Sequence, residues 1–165
     1  MSRKNKWNND LYTLLAKQRG YPARSVFKLE EIQKKYSIIK KGNNVLDIGA
    51  APGSWSLFVS RILDNKGKIV AVDLQPPGNK FQFPSIFHFI RGNIFHAEIC
   101  ESIIHEGPYD VILSDAAPST TGNRLIDSTR SWELVKRILE IAEKCLKKGG
   151  NLVVKIFQGE DTGDI

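Results

Sequence analysis

The chain has 165 residues, of which 41% are hydrophobic and 25% are charged, values typical of one soluble globular domain. No apolar run approaches the roughly 20 residues that a membrane-spanning helix needs, and residues 1–10 lack the apolar core of a secretory signal. Cys100 and Cys145 stand without metal-type spacing, so we predict two buried free thiols and no metal site. These features predict a cytoplasmic protein, with a mitochondrial location left open for a eukaryotic source.

The net charge of +6 is unevenly distributed along the chain. Residues 1–41 contain eleven Lys and Arg against three Asp and Glu, whereas the remaining residues contain thirteen against fifteen. Such asymmetry indicates a surface for a polyanion, most simply nucleic acid, although a solvated basic helix would show the same count. We therefore predict a single domain over 1–165, with a basic helical RNA-binding extension at 1–41 and a cofactor-binding core at 42–165. We expect a monomer without membrane contacts.

Apolar runs predict five strands, at 44–48, 68–73, 86–91, 109–115 and 151–157. Helical patterns lie between them at 54–63, near 96–105 and from about 128 to 146, the last ended by the Lys-Lys-Gly-Gly run at 147–150. Strands that are apolar on both faces and alternate with helices predict an α/β fold, with a mostly parallel sheet covered by helices on both faces. The chain stops eight residues after Phe157, which leaves the fifth strand without a covering helix, as in a shortened protein.

The segment 47–55, Asp-Ile-Gly-Ala-Ala-Pro-Gly-Ser-Trp, follows the first strand and precedes a helix, where doubly wound folds bind ligands. A dinucleotide needs the pattern G-x-G-x-x-G, so that backbone N–H groups reach its pyrophosphate. Only Gly49 fits this pattern, because Ala51 and Ser54 occupy the next two glycine positions, and Pro52 removes a donor. The turn therefore favours S-adenosylmethionine, which carries no phosphate, over a dinucleotide.

Polar side chains end the next two strands. Asp73 follows Gly53 by twenty residues and could accept both ribose hydroxyls of either cofactor class. Asn93 follows the third strand and could bond an adenine edge, although it is equally consistent with a plain turn residue. Asp47 and Asp73 could instead cap turns, which is the alternative reading of both.

Lys155 lies within the apolar run Leu-Val-Val-Lys-Ile-Phe at 152–157. A lysine in such a strand is costly unless it is paired or used. The fourth strand ends in Asp115, and sequential strands are often neighbours, so we expect Asp115 and Lys155 to meet beside the cofactor. Lys155 could then accept a proton from an alcohol during methyl transfer, whereas a lysine that reaches solvent at a strand end is the simpler alternative.

Four ordered segments carry a resemblance to a known family. They resemble the FtsJ-type (RlmE) ribosomal RNA large-subunit 2′-O-methyltransferases, in order and over about residues 10 to 160. The segments are Arg-Ser-Val-Phe-Lys-Leu-Glu-Glu-Ile at 24–32, the turn at 47–55, Leu-Ser-Asp-Ala-Ala-Pro at 113–118 and Val-Val-Lys-Ile-Phe-Gln-Gly-Glu at 153–160.

The resemblance implies a Rossmann-like methyltransferase that uses S-adenosyl-L-methionine and a Lys-Asp-Lys-Glu catalytic set. Three catalytic positions carry over by motif, with Lys155 at the position of the base that acts on a ribose 2′-hydroxyl; they are Lys28, Asp115 and Lys155. The family's cofactor contacts fall on Gly53, Trp55, Asp73 and Asp115. The implied substrate is a uridine of 23S-type ribosomal RNA, often within the large ribosomal subunit.

This sequence departs from the family pattern at two points. Asn93 replaces an aspartate at the adenine contact. The fourth catalytic residue, a glutamate, has no counterpart, and the family's last two strands would be missing as well. Glu160 belongs to the motif around Lys155 and does not take that role.

Two alternatives to an RNA methyltransferase stay open at this stage. The first is a noncatalytic RNA-binding or ribosome-assembly factor that keeps the fold, and the second is an NAD-dependent oxidoreductase, which the turn disfavours. Lys28 also fits a phosphate-contacting helix with Arg24, Lys34 and Lys35. Trp7 and Tyr12 fit either base stacking or core packing.

Overall fold

The protein is described by a computed structural model that covers residues 3–78, 84, 86–119 and 121–156, with the side chains of residues 3–9 outside the description. Its helices and strands alternate after two N-terminal helices. In chain order they are α1 (Arg3–Gln18), α2 (Val26–Tyr36), β1 (Asn44–Ile48), α3 (Ser54–Leu63), β2 (Lys68–Asp73), β3 (Phe87–Arg91), α4 (Ala97–Glu106), β4 (Tyr109–Ser114), α5 (Arg124–Cys145) and β5 (Leu146–Val154).

The five strands form one sheet in the order β3-β2-β1-β4-β5, and every neighbouring pair is parallel. The chain builds outward from β1 to β3 and then returns to add β4 and β5 on the other side of β1. Ligands bind doubly wound sheets outside the carboxyl ends of the strands at such a reversal. The predicted α/β class and the parallel sheet are confirmed.

Side chains of β1 alternate between two apolar layers, because successive residues of a strand point to opposite faces. Leu46 and Ile48 belong to a buried cluster under α4 and α5, whereas Val45 belongs to a second cluster under α2 and α3. Both layers are completed by β-branched and leucine side chains, which suit a strand covered on both faces. The rigid centre of the sheet therefore fixes where its carboxyl edge lies.

The two N-terminal helices are joined to this core rather than separate from it. Leu29 of α2 is fully buried in the cluster under α3. Ala16 of α1 packs with Tyr21 and Val26 in a small third cluster. The division at residue 41 stays a prediction, and within the described residues α2 packs as part of the core.

The boundaries of the last helix and strand differ from the prediction. α5 begins at Arg124 instead of about 128, because the Asn123 side chain accepts the Leu125 and Ile126 N–H groups at 3.0 and 3.4 Å and caps the helix there. The helix ends at Cys145, and β5 begins at once, so that the predicted stop at 147–150 lies inside a strand. The strand tolerates this run because its pairing with β4 shifts register there. The predicted strand end, Phe157, lies outside the described residues.

Cys100 and Cys145 are buried free thiols, as predicted. Within the described ranges, the structure contains no helix long and apolar enough to cross a bilayer.

Candidate cofactor cleft and catalytic pair

A cavity of about 470 Å³ opens at the carboxyl edge of the sheet, over the ends of β1, β2, β3 and β4. Its wall draws on every loop that leaves this edge of those strands and on one face of α5. Four of the predicted site residues line it: Gly49, Asp73, Asn93 and Asp115. The reversal of strand order and the cavity therefore coincide, as the fold class predicts.

The backbone N–H groups of the β1–α3 turn are engaged within the protein. Gly49 and Ala50 donate to the Val72 carbonyl at 2.8 and 3.2 Å, and Gly53 donates to the Ala50 carbonyl at 2.6 Å. Ala51 donates to Asp73 Oδ2 at 2.9 Å. Residue 52 is proline and has no N–H group, so these positions offer no free donor to a pyrophosphate. This geometry supports the prediction that the turn is unsuited to a dinucleotide.

Gly49 lets the β1 turn approach the segment that follows β4. Its φ of 77° lies in the left-handed region, and a Cβ built there would lie 2.5 Å from the Ala116 Cβ. Because both residues line the cavity, this contact sets the width of its floor.

Carboxylates dominate the charge of the cavity wall. Asp73, Asp115 and Glu133 line it together with a single described cation, Arg130. Asp73 is oriented by backbone donors, since its Oδ1 accepts the Gln75 N–H at 2.9 Å. An acidic wall favours a ligand that carries positive charge.

Asn93 is a turn residue, one of the two alternatives left open by the sequence, and its contact with adenine stays a prediction. Its Oδ1 accepts the Phe95 N–H at 3.1 Å and forms a turn. The residue also lines the cavity. Turn formation fixes the amide, and its NH₂ group stays a candidate contact for a ligand edge.

Asp47 lies beneath the turn, 1% exposed and directed at α3. Its Oδ2 accepts the Ser56 hydroxyl at 2.6 Å, whereas its Oδ1 is buried without a hydrogen-bond partner. Burial raises the pKa of Asp47 to about 7; the negative charges of Asp115 and Asp73 act in the same direction, and the Ser56 hydrogen bond opposes them. Asp47 does not line the cavity and supports the turn from behind.

Asp115 and Lys155 form the predicted pair. Lys155 Nζ lies 3.0 Å from Asp115 Oδ1 and donates a hydrogen bond to the Asp115 main-chain carbonyl at 2.7 Å. Lys155 N–H donates to the Ser114 carbonyl, which extends the β4–β5 pairing one residue past the end of β5. The side chains are 25% and 18% exposed, so the ammonium is held in place yet open to a substrate.

Lys28 is exposed on the first turn of α2. The segment before this helix is fastened to the start of α3, because Trp55 Nε1 donates to the Ser25 carbonyl at 2.9 Å and Ser54 Oγ accepts the Ala23 N–H at 2.7 Å. These bonds bring the start of α2 to the carboxyl edge of the sheet. No hydrogen bond or ion pair joins Lys28 to Asp115 or Lys155 in the described part of the chain.

The remaining predicted cofactor residues serve the turn itself. Trp55 is buried and, like Pro52 and Gly53, does not line the cavity. Gly53 has a φ of 108° and precedes α3, a conformation that favours glycine. Their direct contact with a cofactor stays a prediction.

Sequence reasoning missed part of the wall. Leu74 follows Asp73 by one residue and Phe95 follows Asn93 by two, and both line the cavity. Their closeness in sequence to predicted site residues was the signal that could have identified them. Arg130 and Glu133 come from α5, and no local pattern marks them, because only the packing of α5 brings them to the cavity.

The loop between β4 and α5 is folded around one carboxylate. Asp127 Oδ1 accepts the Thr121 N–H at 2.7 Å and the Thr121 hydroxyl at 2.9 Å, and Oδ2 accepts the Gly122 N–H at 3.2 Å. These hydrogen bonds, the Thr121 N–H first among them, lower the pKa of Asp127. Pro118 and Ser119 of this loop line the cavity, so Asp127 supports that wall.

A five-stranded parallel sheet with this cavity and turn defines a Rossmann-like protein of the methyltransferase class. The FtsJ-like methyltransferase family matches residues 21–165. Similar proteins include two described as ribosomal RNA large subunit methyltransferase E. The protein from Treponema denticola is 45% identical over 96% of this chain and 79% of its own length, and the one from Borrelia duttonii is 50% identical over 94% and 79%. A solved ribosomal RNA methyltransferase from Plasmodium falciparum superposes with a TM-score of 0.76 at 31% identity, covering 87% of this chain and 82% of that one.

The chain belongs to the FtsJ-like methyltransferase family. The resemblance noted in the four sequence segments is thereby confirmed, and the protein is a methyltransferase by family.

Proposed function

We propose that this protein transfers a methyl group from S-adenosylmethionine to a ribose 2′-hydroxyl of RNA, at a uridine of the large-subunit ribosomal RNA, in the cytoplasm. The observation that carries the proposal is the Asp115–Lys155 pair, 3.0 Å apart at the cavity edge. Two relatives that cover most of this chain are named as methyltransferases of large-subunit ribosomal RNA.

The residues of the cavity fit S-adenosylmethionine. The acidic wall complements a cationic sulfonium and ammonium, and the turn has its N–H groups engaged, which suits a cofactor without phosphate. Asp73 would hold the ribose hydroxyls, because backbone donors orient its carboxylate while each oxygen keeps a further lone pair. Asn93 would contact the adenine. Gly53, Trp55, Asp47, Gly49 and Pro52 would shape the turn around the aminocarboxypropyl arm.

The bound cofactor supplies an electrophilic methyl group, so the protein has two remaining tasks. It orients the 2′-hydroxyl in line with that methyl group, which can lower the activation barrier by about 7–11 kcal/mol. It also accepts the hydroxyl proton, a step that we assign to Lys155 Nζ as the neutral amine, after the ammonium has released one proton to solvent, because an ammonium has no lone pair to accept a proton. Asp115 holds Nζ through both its carboxylate and its main-chain carbonyl, so the lysine is fixed before substrate arrives.

Lys28 is assigned to the substrate side of the site. It is exposed on α2, whose start is fastened to the carboxyl edge of the sheet by Trp55 and Ser54. An ammonium there suits the phosphate or ribose of the target nucleotide.

The test is transfer of a labelled methyl group from S-adenosylmethionine to large ribosomal subunits that lack the modification. Lys155→Ala should lower the rate by about 10²- to 10⁴-fold, the usual contribution of a general base. Its affinity for the cofactor should be unchanged, because Lys155 does not line the cavity. Lys148→Ala is the matched control, since it removes an exposed lysine of the same strand. Equal incorporation by wild type and Lys155→Ala would refute the assignment.

A noncatalytic RNA-binding or assembly factor is the second candidate. It would bind ribosomal RNA and the cofactor, yet show no transfer above the Lys155→Ala background. The preformed Asp115–Lys155 pair argues against it, because a scaffold has no need of a lysine oriented at the cofactor edge.

A further inference from the structure

A column of stacked guanidinium and aromatic groups connects α3 with α1 across the α1–α2 junction. The Arg61 guanidinium lies 4.2 Å from the centre of the Tyr21 ring. Arg19 lies 5.8 Å from Tyr21 and 5.5 Å from Phe27. The Phe27 ring is 5.5 Å from the Tyr12 ring, with the planes inclined by 60°. Tyr12 is therefore the outer end of a continuous series of ring and guanidinium contacts.

The inner part of this column is fixed by polar contacts. Arg19 forms a two-pronged ion pair with Glu30, at 2.8 and 2.5 Å, and Arg61 donates to the Arg19 carbonyl at 3.3 Å. The charge of Arg19 is neutralised locally, so its guanidinium serves as a flat spacer between two rings. These polar contacts tie the inner part of the column to α2 and α3, whereas Tyr12 joins it through the Phe27 ring.

The ring of Tyr12 is presented to solvent. Tyr12 is 50% exposed although its ring packs against Phe27. Lys17 on α1, Lys28 on α2 and Arg24 in the connection between these helices are exposed, and none of the three forms an ion pair with a described residue. An exposed aromatic face beside unpaired cations is the combination that binds single-stranded nucleic acid, with bases on the ring and phosphates on the cations.

The position of Tyr12 relates it to the reaction site. Phe27, whose ring contacts the Tyr12 ring, immediately precedes Lys28 on α2. The segment before α2 is hydrogen-bonded to the start of α3 at the carboxyl edge of the sheet. An RNA strand whose target ribose lies at Asp115 and Lys155 would pass the start of α2 on its way out. Because the Tyr12 ring contacts Phe27 of α2, we place Tyr12 further along that path.

We propose that Tyr12 is a base-stacking residue for an unpaired nucleotide that flanks the target, with Arg24 contacting the adjoining phosphate. The inference rests on the proposed function, because it names where the RNA of that function is held. It also defines the form of the substrate, since a base can stack on Tyr12 only when it is free of its own helix.

The experiment measures binding of a short fluorescein-labelled single-stranded RNA and of the same strand annealed to its complement. Tyr12→Ala should weaken single-strand binding by roughly 5- to 150-fold, the range for loss of one base–aromatic stack, and leave duplex binding unchanged. Tyr12→Phe should bind like wild type, because the ring face is kept. Tyr12→Leu keeps an apolar contact with Phe27 and removes the ring, so it should behave as Tyr12→Ala and guards against a packing defect.

Two further variants separate stacking from other effects. Leu14→Ala removes a side chain of the same helix that is 54% exposed, and it should bind as wild type. Arg24→Ala should lower the slope of log affinity against log salt by about one phosphate contact, whereas Tyr12→Ala should leave that slope unchanged.

Four results would overturn the inference. They are wild-type single-strand affinity in both Tyr12→Ala and Tyr12→Leu, an equal loss for single strand and duplex, a loss in Tyr12→Phe, and an equal loss in Leu14→Ala, which would mark an apolar docking face for a protein instead. The proposed function is tested separately, by measuring methyl transfer from S-adenosylmethionine to RNA with the wild-type protein. Binding changes at Tyr12 without any methyl transfer would therefore contradict that function and leave the stacking site supported.

Discussion

Asp47 combines full burial with one hydrogen bond, and this makes the protein sensitive to pH. Its pKa is raised from 3.8 to about 7, mainly by burial, so the folded protein keeps a proton that the unfolded chain gives up. Below about pH 4 both states are protonated, and the group has no effect. As the pH rises to about 7 the free energy of unfolding falls, and above that value the loss is constant.

We predict that Asp47→Asn removes this fall, which amounts to at most about 4 kcal/mol. The measurement is the free energy of unfolding from urea titrations at a series of pH values, plotted as the difference between wild type and variant. Asp64→Asn is the control, because Lys41 lowers the pKa of Asp64 and gives a dependence of opposite sign. A difference between wild type and Asp47→Asn that stays flat across this range would contradict the assignment.

Residue-level prediction succeeded where strand ends carry charges. The meeting of Asp115 and Lys155 followed from two strands that adjoin in sequence and in space. The lack of a hydrogen-bond partner for the buried Asp47 Oδ1 could not be predicted, because it depends on which donors α3 places beside that oxygen. The two roles of Asn93 were also beyond reach, since a turn and a cavity wall look alike in sequence.

At the level of elements, the β1–α3 turn depends on a glycine in a crowded position. Gly49 has a φ of 77°, and a Cβ there would meet Ala116 at 2.5 Å. Gly122 has a similar φ of 84°, yet a Cβ there would have no neighbour within 4 Å. The two positions therefore differ in the room available for a Cβ atom, whereas a non-glycine residue would pay a similar cost for the positive φ at either one.

We predict that Gly122→Ala costs about 1–2 kcal/mol from backbone strain, and that Gly49→Ala costs about 1–3 kcal/mol more from overpacking. Urea unfolding of both variants gives the difference directly. Gly49→Ala should also weaken cofactor binding, because the turn and the segment after β4 must move apart. Equal destabilisation of the two variants would show that the close approach to Ala116 is relaxed without cost.

The sequence predicted the elements better than their ends. Apolar runs located the five strands, because strands buried on both faces are uniformly apolar. The start of α5 was missed since its first three residues are exposed and its first buried residue, Asp127, is not apolar, so only the cap at Asn123 marks it. The glycines at 149 and 150 suggested a stop, whereas they serve a register shift inside β5.

For the whole molecule, cofactor binding should appear as added stability. A ligand at about 100 times its dissociation constant adds roughly 2.7 kcal/mol to the free energy of unfolding when it binds the folded state alone. For a chain of this size that corresponds to a rise of about 5–10 °C in the unfolding midpoint. S-adenosylmethionine should produce this rise, and NADH at equal concentration should not.

Thermal unfolding with each cofactor is the measurement, and Asp73→Asn is the matched variant. It should show a smaller rise with S-adenosylmethionine, because the carboxylate that would hold the ribose is lost. A comparable rise with NADH would revive the oxidoreductase alternative.

The closed turn has a further consequence for protein engineering. Substrate specificity in many enzymes can be exchanged by replacing side chains, because the selecting groups are side chains. Here the proposed preference against dinucleotides would depend mainly on the main chain, where the N–H groups of residues 49, 50, 51 and 53 already have acceptors and residue 52 has none to give. Substitution of Asp73 or Pro52 would free or add an N–H group only at residues 51 and 52, whereas the Gly49, Ala50 and Gly53 N–H groups are bonded to main-chain carbonyls. We therefore expect a change of cofactor to require a new loop length between β1 and α3.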